Sequence, residues 1–411
     1  MKKVIVFILT VIFLLSLTIT GGAQEPIKIG ALFALTGGLA PFGPPIVSGA
    51  KLAVEQVNKA GGILGRRLEL VIRDTATAPA VGLDAASKLI HLDRVVAIIG
   101  ALSSGVTFAS SSVTIPARIV LISPASTSPM LTDLEDDDFV FRTVLSDAFQ
   151  GVVQGKLALD LGYKTASVIY VNNPYGKGLA EVFKNEFEAG GGQVLAMVPY
   201  EENKPSYRGE VEKAIVGAPA AINLIAYPVD GNKVLVQAVE LGYEGTYIFS
   251  DGMKGEDVAG GPAADYIVGT LGTAPGPMEV EVAEAFEKDY NEAFGPTTVP
   301  YNDTCYDALA LIALAIKRVG PSFLDMTQEQ QGTAIRDNLR AVANPPGEIV
   351  TYNEFARAFK LLEEGKDINY EGVSGPIIFD EHGDTIAGAI EIWQNFEGRA
   401  RTVRIVEVRA E

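Results

Sequence analysis

The chain has 411 residues, 48% of them hydrophobic, a formal net charge of -18, two histidines and one cysteine. That length and apolar content allow two domains with cores of their own. The acidity argues against nucleic acid, whose phosphates demand a basic surface, and against anionic membrane.

The N-terminus has the pattern of an export signal over residues 1–23. Lys2 and Lys3 form a positive start, Val4 to Leu17 is apolar, and Gly21-Gly22-Ala23 offers a cleavage site before Gln24. A membrane anchor is the competing reading, but the apolar run is short for a spanning helix of roughly 20 residues. No Cys lies near the cleavage point to carry a lipid. Removal of residues 1–23 takes away two lysines and no acid, so the charge becomes -20 (-18 minus 2). An exported, soluble chain is expected.

From Ile27 onward, strand and helix patterns alternate. Ile27 to Leu35 reads as a strand, and Thr36 to Gly43 as a Gly-rich turn that departs from the dinucleotide pattern G-x-G-x-x-G. Val47 to Lys59 is a helix ended by Gly61-Gly62, Leu68 to Arg73 a strand, and Ala80 to Leu92 a helix with His91 at its end. Val95 to Gly100 and Ile119 to Ile122 are short Val/Ile-rich runs, the form of strands buried on both faces of a parallel sheet. They run into Ala101-Leu102-Ser103-Ser104-Gly105 and Ser123-Pro124-Ala125-Ser126-Thr127.

A turn at Leu134 to Asp138 and a strand at Phe139 to Thr143 form a first crossover to a second series. Helix Ala148 to Leu161, strand Ala166 to Val171, helix Gly178 to Ala189 and strand Gln193 to Pro199 open it. Helix Arg208 to Val216, strand Ala221 to Tyr227, helix Asn232 to Leu241 and strand Tyr247 to Ser250 complete it. A second crossover is expected at Thr273 to Pro277, followed by helices Val280 to Phe294 and Tyr306 to Val319. A third is expected near Gly372 to Pro376. The stretch from Ile377–Phe379 through Val403–Val408 alternates like strands, with Asp-Glu-His-Gly as its turn and His382 inside it. Two doubly wound α/β lobes follow: residues 24–142 with 275–374, and residues 143–274 with 375–411.

In open α/β sheets the ligand crevice lies beyond the carboxyl ends of the strands. The first lobe offers hydroxyls and backbone amides there, at Ser103-Ser104 and Ala125-Ser126-Thr127, suited to a small anion such as a carboxylate. The second offers Tyr175, Tyr227 and one acid, Asp251. Together these are what an α-amino acid needs. Helix capping by the Ser, Thr and Asp residues is the plainer alternative. No metal or cofactor is expected: neither histidine has ligand spacing, Cys305 reads as a buried thiol, and no nucleophile elbow or phosphate loop occurs. Asp251 with Tyr175 is the one candidate pair for a secreted enzyme.

These residues resemble a known family, the substrate-binding proteins of branched-chain amino-acid importers. The resemblance runs from about Ile27 to the C-terminus. It is carried by Thr36-Gly37 to Gly43, Asn58-Lys59-Ala60-Gly61-Gly62-Ile63-Leu64-Gly65, the Ser103-Ser104 and Ser123 to Thr127 loops, Tyr175-Gly176, Tyr306-Asp307-Ala308 and Gly372 to Asp380. It implies two Rossmann-like lobes of the type I periplasmic-binding fold, three crossovers and binding without chemistry. It implies that Ser104, Ala125 and Thr127 hold a carboxylate, with Thr127 and Asp251 near the ammonium. Family members often carry Glu where Asp251 stands. Phe42, Leu102, Tyr175, Tyr227 and Tyr301 match positions around the ligand side chain, although Pro228 after Tyr227 is not part of the pattern. The resemblance further implies a monomer, a periplasmic location (or the outer face of the cell envelope) and an ATP-driven membrane permease as partner. Relatives of this kind also bind amides, urea or aromatic acids, and a ligand-sensing module shares the fold.

Overall fold

The computed structural model describes residues 24–278 and 281–410. The expected export signal and the expected helix start at Val280 lie outside them. The first series is β1 (Ile27–Phe33), α1 (Gly43–Lys59), β2 (Leu68–Asp74), α2 (Pro79–Lys88), β3 (Ala97–Gly100), α3 (Ser104–Thr114), β4 (Val120–Ser123) and β5 (Val140–Arg142). The second is α4 (Asp147–Asp160), β6 (Thr165–Val171), α5 (Pro174–Ala189), β7 (Gln193–Tyr200), α6 (Arg208–Ala214), β8 (Ala221–Ile225), α7 (Pro228–Glu240), β9 (Thr246–Phe249), α8 (Glu256–Ala259) and β10 (Leu271–Gly276). Then come α9 (Glu281–Phe294), α10 (Asn302–Val319), α11 (Gln328–Ala343), β11 (Glu348–Val350), α12 (Phe355–Glu363), β12 (Ile368–Tyr370) and the hairpin β13 (Ala387–Phe396) and β14 (Arg399–Arg409).

The first sheet is parallel, in the order β2-β1-β3-β4-β5. β3 and β4 are buried at every position, as strands covered on both faces must be. The second sheet, β14-β13-β10-β9-β8-β6-β7, repeats the same winding in its parallel part, β7-β6-β8-β9-β10. Each sheet therefore has its switch point beside its first strand, between β1 and β3 and between β6 and β8, where a crevice opens at the carboxyl ends.

Several expected elements move, for local reasons. Thr273 to Pro277 is not simply a linker: Leu271–Gly276 is strand β10, antiparallel to β13 with Pro275 opposite Ile390. β9 pairs only with Leu271 and Gly272, so the N–H that Pro275 lacks breaks no ladder on that side. The helices expected from Gly178 and Asn232 begin earlier, at Pro174 and Pro228, because proline's fixed φ suits the first helical position. The helix expected to reach Leu92 passes into a π turn over Leu89–Asp93. At the C-terminus, Ile377 to Phe379 forms only one bridge, Phe379 to Thr385. The long hairpin turns instead at Glu397 (φ 49°) and Gly398 (φ 76°), a pair of positive φ angles that matches strand twist.

After β10 the chain returns to the first lobe, where α10 packs along α1 and is buried over most of its length. Gly49 permits that approach: a Cβ there would lie 2.0 Å from the Asn302 carbonyl oxygen. The segment leading back to the second sheet is held by one acid. Asp307 of α10 is fully buried and accepts bonds from Val373 N (2.9 Å), Ser374 N (2.9 Å), Ser374 Oγ (2.7 Å) and Tyr370 Oη (2.7 Å). Burial pushes its carboxyl up to about 6, and the four donors oppose that rise. Asp307→Ala strands two backbone donors, so a stability loss of about 3 kcal/mol is expected from urea unfolding; a loss below about 1 kcal/mol would show that the segment holds itself.

Candidate functional site

A cavity lies between the two switch points, near the carboxyl ends of both sheets. Leu102, Ser104, Ala125 and Phe42 line it from the first lobe, Tyr175, Tyr227 and Asp251 from the second, and Tyr301 from the start of α10. Leu39, Ile46 and Gly252 also line it. Leu39 and Ile46 carry no polar signal, and only folding brings them to the wall.

Ser103, Ser126 and Thr127 are expected ligand contacts that do not line the cavity. Ser103 is the N-cap of α3 but makes no side-chain capping bond. Its Oγ lies 3.1 Å from Tyr227 Oη, bridging the lobes. Ser126 Oγ is used internally, 2.7 Å from Thr107 Oγ1 and donating to Ala101 O at 3.0 Å. It pins its own loop. The Ala125 N–H, expected to be bare, is within 3.3 Å of Ser123 Oγ, which also accepts from Ser126 N at 2.9 Å. Behind the loop, the buried Arg142 guanidinium donates to Ser128 O at 2.9 Å and pairs with Asp384.

The acid of the site is Asp251. Its Oδ1 accepts from Tyr175 Oη (2.7 Å) and Gln150 Nε2 (3.1 Å), and its Oδ2 from Tyr301 Oη (2.6 Å). Those side-chain partners are not what a capping role requires. Burial raises its pKa, and the three donors pull it back. The Tyr175 ring stacks on Tyr227 at 5.6 Å and 8°. Pro228 explains that placement: Tyr227 is the extended N-cap residue before a helix-starting proline. Tyr301 adopts φ 79°, a left-handed conformation that costs an aromatic residue about 1–3 kcal/mol. It turns the Tyr301 hydroxyl onto Asp251.

Sequence patterns missed Asp147, the fully buried first residue of α4. Thr127 Oγ1 donates to its Oδ2 at 2.7 Å, while its N–H donates to Thr127 O at 2.7 Å. Its Oδ1 has no hydrogen-bond partner among the described residues. Burial, then repulsion from Asp251, hold this carboxyl well above the usual carboxylate range. Because the Thr127 hydroxyl proton is committed to Asp147, its oxygen faces any further partner as an acceptor. Asp251 and Tyr175, the candidate acid–base pair, bond to each other, and burial raises the tyrosine well above its ordinary pKa. Burial likewise pushes the Cys305 thiol up.

The family model described as periplasmic binding protein matches residues 26–381, and the chain belongs to that family. It is 29% identical over 86% of its length to a chemotactic signal transduction system substrate-binding protein of Halobacterium salinarum, covering 84% of that protein. It is 27% identical over 77% of its length to a leucine-, isoleucine-, valine-, threonine- and alanine-binding protein of Pseudomonas aeruginosa, covering 83% of it. A leucine-binding protein from Thermotoga maritima superposes with a TM-score of 0.77 at 25% identity, covering 92% of this chain and 98% of that one. The chain is thus a ligand binder with the two-lobe type I fold, related to branched-chain amino-acid binders, and its family and fold are those of non-enzymatic solute-binding proteins. No described helix is long and apolar enough to cross a membrane.

An acid whose pKa rises on folding binds a proton more tightly folded than unfolded. Its favourable contribution is present at low pH and is lost as pH climbs from about 4, the unfolded value, through the raised folded value. Asp147→Asn cannot ionise. Its stability relative to wild type should therefore increase between about pH 4 and pH 8, read by urea unfolding at both. No change would show that the nearby Arg142 guanidinium offsets the effect of burial on Asp147.

Proposed function

We propose that this chain is an exported binding protein that captures an α-amino acid with a branched apolar side chain (leucine, isoleucine or valine) between its lobes and delivers it to a membrane permease of an ABC importer. Asp251 carries this reading: it is a buried carboxylate on the cavity wall, and an α-ammonium is the counter-charge that suits it. Ser104 and the backbone at Ala125 are assigned to the ligand carboxylate, and Asp251 to its ammonium; Thr127, which does not line the cavity, is left to hold Asp147. Leu39, Phe42, Ile46, Leu102 and the tyrosine rings supply apolar walls. A neutral amide, urea or an aromatic acid would leave Asp251 without its counter-charge.

Residues 24–142 with 275–374 form the first moving body in this proposal, and 143–274 with 375–411 the second. They pivot where the chain crosses between them, and closure is favoured by contacts made only when shut. Residues 1–23 are assigned as the export signal, and the mature chain as a periplasmic (or envelope-exterior) monomer. Delivery to a signalling partner is the second reading, supported by the chemotaxis name of the Halobacterium relative.

In a thermal-shift screen, leucine, isoleucine or valine should raise the melting temperature. Ligand at a hundredfold excess over Kd stabilises by about 2.7 kcal/mol. A response to urea or short amides, with none to amino acids, would overturn the reading.

Calorimetry should separate the two ends of the ligand. Ser104→Ala loses one bond to a charged group, about 1.5–3 kcal/mol. Asp251→Ala leaves a buried ammonium unpaired, about 3–5 kcal/mol. At about 1.4 kcal/mol per tenfold in Kd, Asp251→Ala should bind roughly tenfold more weakly than Ser104→Ala. Equal losses would assign the ammonium elsewhere.

A further inference from the structure

We propose that Glu202 is a closure residue linked to protonation: its carboxyl, at the mouth of the cleft, takes up a proton as the lobes shut, so that capture tightens toward acid. This rests on the amino-acid reading above.

Glu202 follows β7 in the second lobe and is half-buried. Its Oε1 accepts from Asn173 Nδ2 at 3.2 Å, and the same amide donates to Tyr227 Oη at 3.0 Å. Tyr227 Oη in turn lies 3.1 Å from Ser103 Oγ in the first lobe. The first lobe covers this chain of polar groups with bare backbone. A Cβ on Gly38 would sit 3.3 Å from the Tyr227 ring and 3.5 Å from Glu202 Oε2. Closing the lobes therefore removes water from Glu202 by apposing a loop that offers it no charge.

The groups around the carboxyl are acids or are already engaged. Asp230 of α7 is fully buried and takes Lys233 Nζ at 3.1 Å and Asn203 N at 3.0 Å. Glu201 is exposed and accepts from Asn172. Lys204 turns to Glu210 at 2.6 Å. The Tyr200 and Tyr207 hydroxyls are neutral at ordinary pH, because burial raises both. In the facing loop, Asp74 is held by Leu35 N and by Thr36 N and Oγ1. No ion pair reaches Glu202 among the described residues.

Burial first, then repulsion from Asp230 and Glu201, push the Glu202 carboxyl up to about 7, against the pull of the Asn173 amide. When the lobes part, Gly38 withdraws, water returns and the carboxyl falls back toward its ordinary value. A group with the higher pKa in the closed form favours closure below that value, and the advantage is lost as pH rises through about 7. Glu202 touches no ligand in this scheme. It acts through Asn173 and Tyr227, as a positioning residue.

The test is calorimetric titration with L-leucine at about pH 6 and about pH 8, in buffers of different ionisation enthalpy so that bound protons are counted. Wild type should bind about tenfold more weakly at the higher pH and take up close to one proton per ligand at the lower. Glu202→Gln, which mimics the protonated acid, should bind alike at both and take up correspondingly less. The same pH slope in wild type and variant, or loss of binding in the variant at both pH values, would overturn the proposal while leaving the amino-acid reading intact. Failure of wild type to bind any amino acid at either pH would overturn both.

Discussion

A carboxylate buried in the cavity wall is the constraint on which this molecule turns. Removing such a charge from solvent costs several kcal/mol unless donors surround it, and Asp251 has three. They arrive from different parts of the chain: Tyr175 from α5, Gln150 from α4, and Tyr301 from the start of α10. The last reaches Asp251 from the start of α10, outside the second series of elements. The strained backbone of Tyr301 has the same cause, since it brings that hydroxyl within reach.

The two sheets share one winding and present different chemistry at matching places. In the first lobe, β3 and β4 end in small residues and hydroxyls, steadied from behind by Arg142. In the second, β8 and β9 are followed two residues on by Tyr227 and Asp251, while β6 leads into Tyr175 at the start of α5. Donors on one side and a carboxylate on the other give the cleft a polarity. A ligand with opposite charges at its two ends has one favoured orientation in such a field. A second carboxylate, Asp147, sits behind Thr127 and sets which way that hydroxyl points.

Much of this was legible in the sequence because its causes are local. Short Val/Ile runs declare buried parallel strands, and Gly after apolar periodicity declares helix ends. The rule that crevices open at carboxyl strand ends then singles out Ser104, Ala125, Tyr175, Tyr227 and Asp251 by their positions in the chain. Tyr301 and Phe42 came only through family resemblance, and both line the cavity. Local reasoning failed where two signals conflict. Pro275 reads as a breaker, and only the absence of a neighbour on one side lets it stand in a strand.

What sequence alone determined is the kind of surface each strand end offers: hydroxyl, amide, ring or acid. Which of these face the cavity was decided by tertiary structure. Ser126 and Thr127 are adjacent hydroxyls in one loop, yet one bonds to Thr107 and Ala101 and the other to Asp147. Leu39 and Ile46 are ordinary apolar residues until the lobes meet. Asp307 and Asp147 are acids like the rest of an acidic chain until burial and distant partners give each a task. A hydrogen-bond partner tens or hundreds of residues away leaves no trace in local periodicity, and burial, which sets what a carboxylate can do, is a property of the folded molecule.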